Sequence, residues 1–439
     1  MNHKKYYSGW GNYPVKHGKL IEVSSSEDLS NLIQKENSFI PVGNFRSYGD
    51  SALSETMVQF TPKKTIEIDS SKKTAIVSAD ILIGDLIDKS LPIGLFPPVV
   101  PGTKFVTIGG AIAADIHGKN HHIDGCFSDH VIWFKLMKHD GKIVKCSKES
   151  TSELFALTCG GMGLTGVIIS AKIKMKQVES DLIYQETFSA SSLQKLFNLF
   201  DDHREKQFSV AWIDCTANGN NLGRGIFMSG EFCKSSKIGR YKSKNKKKIS
   251  VSFFLPPWLM NPLTIKLFNT FYFYISSLIN KSKSIVEYNK FFFPLDNIHH
   301  WNRMYGTTGF LQYQFVLPFK NSYEGLKKIL GIISDSRQGS PLAVLKLFGP
   351  RNKNYLSFPM EGFTLALDFK NQPDLFSLLD ELDKIVLDNG GRVYLAKDAR
   401  IKKKNFESGY AKIKEFRRLR HQEKLGNKFQ SYQSKRLGL

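Results

Sequence analysis

Three glycine-rich loops constrain the fold more than any other feature of this sequence. They are PVGNFRSYGDSA (41–52), PGTKFVTIGGAIAADIHGKNHH (101–122) and TCGGMGLTGVI (158–168), and each borders a strand-like run. Glycine has no Cβ, so backbone N–H groups can come close to a polyanion, and concave runs of such groups bind phosphates. Three loops of this kind in one α+β unit predict a site that wraps a long dinucleotide lying extended through the domain.

The runs between the loops alternate. KLIEVSSSEDLSNLIQKEN predicts a strand and then a helix, with Ser25 and Asp28 as a capping box and Leu29, Leu32 and Ile33 as the apolar face. TIEIDSSKKTAIVSAD and VIWFKLMKHDGKIVKCS predict hairpins, the second turning at Asp140-Gly141. STSELFALTC predicts a helix and VIISAKIKMKQ a long strand. Beyond residue 180 the texture changes to strands such as FSVAWIDCTA, GFLQYQFVLP, AVLKLFGP and FTLALDFK, with amphipathic helices in SLQKLFNLFDDHREK, YEGLKKILGIISD and PDLFSLLDELDKIVLDNG. That pattern predicts an α+β cap with an antiparallel sheet.

Two motif matches need weighing. Gly161, Gly163 and Gly166 fit GxGxxG, with Asp181 downstream where the acid of a dinucleotide fingerprint falls. That fingerprint needs a strand before and a helix after. Here helix-like SELFALTC precedes and β-rich VIISAKIKM follows, so a Rossmann unit is not expected. His117 and His121 have the spacing of zinc ligands on a helix. Gly118 and Asn120 are poor helix residues and no third ligand follows, so no metal is expected.

The chain has 439 residues, enough for two or three domains, and carries a net charge of +22. Such a field attracts nucleic acid, an anionic membrane surface or a phosphorylated substrate. Nucleic-acid binding predicts aromatics interleaved with Lys and Arg on a module such as an OB fold or RRM. No such module is visible, and no nucleic acid is expected. Much of the basic excess sits in KSSKIGRYKSKNKKK (234–248), followed by ISVSFFLPPWLMNPLTIKLFNTFYFYISSLI. One reading is a solvated loop beside a buried helix; the other is a monotopic surface resting on an anionic membrane. Pro256, Pro257 and Pro262 interrupt the apolar run too early for a clean span. Five scattered cysteines without a CxxC suit a reducing compartment, and the N-terminal stretch lacks the apolar core of a signal peptide. The expectation is a cytoplasmic protein held peripherally at the inner face of the plasma membrane.

The wording of the loops, together with GWGNYP, RSYGDSAL, DHVIWFKL, GFLQYQF, KLFGP, YLAKDAR and the terminal SKRLGL, resembles one family. It is similar to the FAD-dependent vanillyl-alcohol oxidase/p-cresol methylhydroxylase superfamily, and within it to the decaprenylphosphoryl-β-D-ribose 2-oxidase-like branch. The resemblance covers nearly the whole chain except residues 234–290. It implies a two-subdomain FAD-binding domain at 1–180, completed by 390–439, and an α+β substrate (cap) domain at 181–389 with a basic, apolar membrane-facing insertion at about 234–290. It places Gly43, Asn44, Phe45, Arg46, Ser47, Tyr48 and Gly49 on the pyrophosphate. It lines the cofactor with Gly102, Thr103, Thr107, Ile108, Gly109, Gly110, Ala114, Asp115, Ile116, His117, Ile168 and Tyr394.

The resemblance further implies a substrate site of Lys119, Gln312, Gln314, Lys346 and Lys397, with Lys397 activating a hydroxyl. A lysine near other cations has a lowered pKa and can serve as base or donor. Gln312 and Gln314 are two apart, hence on one face of a strand, where two amides suit sugar hydroxyls. Many superfamily members bond a histidine covalently to the flavin, and His117 is the candidate here. The branch itself implies noncovalent FAD, and Cys126 is expected to be a small buried residue. The implied reaction oxidises the 2-hydroxyl of a polyprenyl-phosphate-linked pentose to the 2-keto sugar. A partner NAD(P)H-dependent short-chain reductase would complete the epimerisation, in synthesis of a cell-envelope polysaccharide such as arabinan. A soluble FAD-dependent sugar or aldonolactone oxidase of the same superfamily is the alternative.

Overall fold

The chain folds around three sheets in a computed structural model that describes residues 5–234, 249–278, 282–425 and 428–439. In the first, Val15–Val23 runs parallel to Thr56–Phe60, with Ile40–Pro41 beyond it and Lys5–Ser8 antiparallel at the edge. The helix Ser26–Lys35 starts where Ser25 Oγ accepts the Asp28 N–H at 3.0 Å, and it buries Leu29 and Ile33, one turn apart. The second sheet is antiparallel, in the order Ile66–Asp69, Thr74–Ser78, Val167–Lys174, Val131–Met137, Ile143–Ser147. The GxGxxG stretch does lie between the helix Ser152–Thr158 and the strand Val167–Lys174, the reverse of a Rossmann turn. Its backbone supports a neighbour instead: Gly160 N–H and Met162 N–H donate to Ile112 and Ala113 O at 3.0 and 2.8 Å, bracing the helix Ile108–Ala113.

The third sheet has eight antiparallel strands. Its centre is Phe208–Ile213, Ala343–Phe348, Gly362–Lys370 and Phe310–Pro318, in that order. Alternation gives this sheet two unlike faces. Leu311, Phe315, Leu317, Leu345, Leu365 and Leu367 pack beneath the helices Phe319–Ser336 and Leu375–Asp388 in one buried cluster. The opposite face carries Gln312, Gln314, Lys346, Thr364 and Asp368; Gln312 pairs across the strands with Asp368, and Lys346 with Thr364.

After residue 390 the chain first adds Arg392–Val393 to the edge of this sheet. It then returns to the first sheet, where Tyr432 N–H donates to Leu53 O at 2.8 Å and Arg436 reaches Asp50 and Asp398, each at 2.8 Å. Of the basic run, all but Lys234 lies outside the described residues. The apolar segment after it contains the helix Pro262–Leu278, which turns Ile265, Asn269 and Phe273 inward. Leu263, Leu267, Phe271, Tyr274 and Leu278 form an exposed stripe along its other side. Among the described residues, no helix is long and apolar enough to cross a membrane.

Candidate active site

The first loop is clasped from both sides. Trp10 N–H donates to Ser47 O at 2.8 Å, and Tyr48 N–H donates to Ala396 O at 3.0 Å. Asn44 Nδ2 donates to Phe105 O at 2.9 Å, which ties the first loop to the second. Phe45 takes φ +47°, and a Cβ on Gly49 would overlap the Asp398 carbonyl. Arg46 stacks between Trp10 and Phe105, its guanidinium 4.1 and 5.1 Å from their ring centres. In the second loop Thr103 Oγ1 accepts the Phe105 N–H at 3.3 Å. Thr107 caps the helix Ile108–Ala113 by accepting the Gly110 N–H at 3.1 Å, while Gly43 packs so close that a Cβ would overlap the Thr107 hydroxyl. Gly109 approaches Ala79, and Gly102 faces open space. Ala114 O accepts from the Tyr394 hydroxyl at 3.1 Å. Ile116 and Ile168 are buried in the apolar cluster beneath.

His117 stands where this loop meets the cap. Its ring lies among Phe348, Phe358 and Tyr394, with centroids 4.7–5.6 Å apart. Thr364 Oγ1 donates its proton to Phe315 O at 2.7 Å, so it must accept from Gln314 Nε2 at 3.2 Å. The same amide nitrogen lies 3.0 Å from His117 Nε2, which therefore accepts. The imidazole proton then sits on Nδ1, a buried atom with no partner. Burial, and after it Lys346, His121 and Lys397, hold His117 well below the ordinary histidine range, so the ring is neutral.

Lys346 and Lys397 act on His117, and Lys119 acts with Lys346. Burial lowers Lys346 to about 8. Burial, then Lys346, lowers Lys119 to about 7. Lys119 Nζ donates to Phe291 O and lies 4.4 Å from that ring's centre. Lys397 lies 3.9 Å above the Tyr48 ring; burial and Lys346 push it down, and Asp368 pushes it up. Gln312 Nε2 donates to Asp368 Oδ1 at 2.5 Å. Of the substrate-site residues expected from the sequence, Gln312, Gln314 and Lys346 share the polar sheet face, while Lys119 comes from the second loop and Lys397 from the segment that clasps the first.

The Asp115 carboxylate is fully engaged within the protein. Oδ1 accepts Ser128 N–H at 3.1 Å, and Oδ2 accepts from Asn352, Asn354 and Ser357 at 2.7, 2.9 and 2.6 Å. It pins residues 352–357 behind His117, and only its backbone is left for a ligand. A later stretch covers the second loop: Lys104 N–H donates to Asp296 Oδ2 at 2.8 Å, and Lys104 Nζ donates to Asn289 Oδ1 at 3.0 Å. His121 uses Nδ1 to accept Gly349 N–H at 3.1 Å, and its Nε2 faces the Cys126 thiol at 3.3 Å, so it is a packing residue. Asp368 and Trp10 are residues the sequence reading missed. Asp368 alternates with apolar neighbours in FTLALDFK, as a solvent-facing residue would; only its pairing with Gln312 places it in the site.

The loops fit a flavin dinucleotide on two observations. Arg46 Nε and His117 Nδ1 are buried polar atoms without partners, one on each loop. Gly43 packs on Thr107 of the second loop with no room for a Cβ, so the two loops meet backbone to side chain, and Gly102 faces open space.

Comparison with known proteins agrees. A family model described as FAD binding domain matches residues 19–147. The decaprenylphosphoryl-β-D-ribose oxidase of Mycolicibacterium smegmatis is 34% identical over 99% of this chain and 98% of its own. The L-gulonolactone oxidase of Mus musculus is 26% identical over 48% of each chain. The D-lactate dehydrogenase of Archaeoglobus fulgidus is 30% identical over 36% of this chain and 38% of its own. Of these three matches, the first covers nearly the whole of both chains.

Proposed function

The chain belongs to the decaprenylphosphoryl-β-D-ribose oxidase family of FAD-dependent oxidoreductases, and from that membership we propose that it oxidises the 2-hydroxyl of a polyprenyl-phosphate-linked pentose to the 2-keto sugar. FAD supplies the hydride acceptor for such an oxidation. Its holders on this reading are the loops at Gly43–Gly49 and Gly102–Gly110, the backbone of Ala114–His117, Ile168 and Tyr394, with noncovalent attachment. His117 keeps its Nδ1 proton as a donor toward the cofactor.

One observation carries the substrate reading: a single sheet face sets Lys346 and two amides against Lys119 and Lys397. Lys346 and Lys119 sit near the edge of protonation, so an arriving phosphate raises their pKa and completes its own counter-charge. Gln312 and Gln314 have their Nε2 groups committed to Asp368, His117 and Thr364, which leaves the amide oxygens to accept from sugar hydroxyls. Lys397, pushed down by burial, takes the hydroxyl proton. The exposed stripe of the helix Pro262–Leu278 and the basic run before it suit an anionic membrane surface, where a polyprenyl phosphate resides. The keto product needs a hydride donor to complete an epimerisation, which is the place for an NAD(P)H-dependent short-chain reductase in cell-envelope polysaccharide synthesis.

The test is anaerobic mixing of the yellow protein with candidate sugars. Bleaching by a polyprenyl-phosphoryl pentose, and not by free pentose or an aldonolactone, is expected. Bleaching by the aldonolactone alone would establish the soluble sugar-oxidase reading instead.

A further inference from the structure

Asp368 is fully buried in the middle of the polar sheet face. Oδ1 accepts from Gln312 Nε2 at 2.5 Å; Oδ2 has no partner. A buried carboxylate oxygen without a partner is costly and calls for a reason. The backbone around it is fixed: Asp368 N–H donates to Ser340 Oγ at 3.0 Å, and Ser340 O accepts from the buried Asn269 at 3.1 Å. The groups that face it are the amide of Gln312, the phenols of Tyr48 and Tyr305, and the ammonium of Lys397, with Lys346 behind that ammonium. Both phenols hold their protons, because burial pushes each well above the ordinary tyrosine range. Lys397 is thus the cation that answers this carboxylate.

We propose that Asp368 is the positioning residue of this site, the fixed counter-charge that pairs with Lys397 when that amine takes the substrate's hydroxyl proton. The step is a proton transfer: the O–H bond breaks, an N–H bond forms on Lys397, and the carboxylate keeps its charge. Gln312 holds Oδ1, which leaves Oδ2 for the ammonium. Burial pushes Asp368 up and Lys397 down, and each opposes the other's shift, so the charges of the two groups are linked. The proposal rests on the reading of Lys397 as proton acceptor, and nothing in it depends on which sugar is bound.

The test is Asp368→Asn, which keeps the shape and a partner for Gln312. Flavin content should stay at the unaltered level. Without the carboxylate, Lys397 loses its proton more readily, so the acid limb of the kcat/KM profile should move to lower pH by about 1 unit or more, with a lower kcat plateau. A rate loss that is even at every pH, with the limb unmoved, would overturn the proposal. Should the variant shed its flavin, infrared titration of the buried carboxyl in Lys397→Met supplies the reciprocal reading. There the protonated-carboxyl band should persist to higher pH than in the unaltered protein, since the stabilising cation is gone. An unchanged titration would overturn the pairing while leaving Lys397 as acceptor intact. Undiminished turnover in Lys397→Ala would refute the acceptor reading itself.

Discussion

The loops and the cap face one another across the site, and they are built by opposite means. The loops at 43–49 and 102–117 work through backbone: glycines that admit no Cβ, a positive φ at Phe45, one threonine cap, and carbonyls clasped by Trp10 and Tyr394. The cap works through side chains: Lys346, Gln312, Gln314 and Asp368 on one sheet face, their charges tuned by burial. A backbone site is rigid and tolerates no bulk. A side-chain site tolerates change of shape but not of charge. The two halves should therefore fail differently.

The largest effect is expected at Gly49. In Gly49→Ala the new methyl group meets the Asp398 carbonyl and lies 2.8 Å from the Ala399 Cα, atoms that cannot rotate away. Overpacking of this kind costs about 3 kcal/mol or more. The purified variant should lose flavin and melt earlier, which absorbance per chain and a thermal scan both read. Full flavin content would remove the backbone half of the comparison. Lys397→Ala should do the reverse: flavin stays and turnover falls by about 10²–10⁴-fold, the usual worth of general acid–base catalysis. Stopped-flow bleaching separates the two results.

That contrast also explains what could be read in the sequence. Backbone sites spell themselves out, because glycine is the only residue that fits: RSYGDSAL and VTIGGAIA announce the loops without knowledge of the pairing. The strands at 310–318, 343–348 and 362–370 were legible by alternation, and so was the shared face of Gln312 and Gln314. Asp368 was not, because alternation alone cannot tell a face that meets water from a face that meets another domain. The direction of the Asp115 side chain was not legible, for a related reason. It lies within the loop in sequence, but φ +41° turns its carboxylate to the residues 352–357. Register and long-range contact decide both cases, and neither is local.

A smaller effect sharpens the electrostatic half. Lys346→Met removes a cation that helps to lower Lys397. With the like charge gone, Lys397 holds its proton more tightly, and the acid limb of kcat/KM moves to higher pH, opposite to Asp368→Asn. KM for the phosphorylated substrate should rise about tenfold, roughly 1.4 kcal/mol. A shift in the same direction for both variants would mean that the limb reports some group other than Lys397.

The mildest test falls on the loop side. Thr107→Val keeps the bulk and removes the oxygen that accepts the Gly110 N–H. Loss of an N-cap costs about 1 kcal/mol, well short of the overlap at Gly49. The helix Ile108–Ala113 is only six residues long. Flavin should still bind, with a dissociation constant raised about fivefold, while the pH limbs of turnover stay where they are. Movement of a limb here would show that the loop also sets the charge of the site. In that event the division between a backbone half and a side-chain half would have to be redrawn around His117, which lies on the second loop and bonds to Gln314 of the cap.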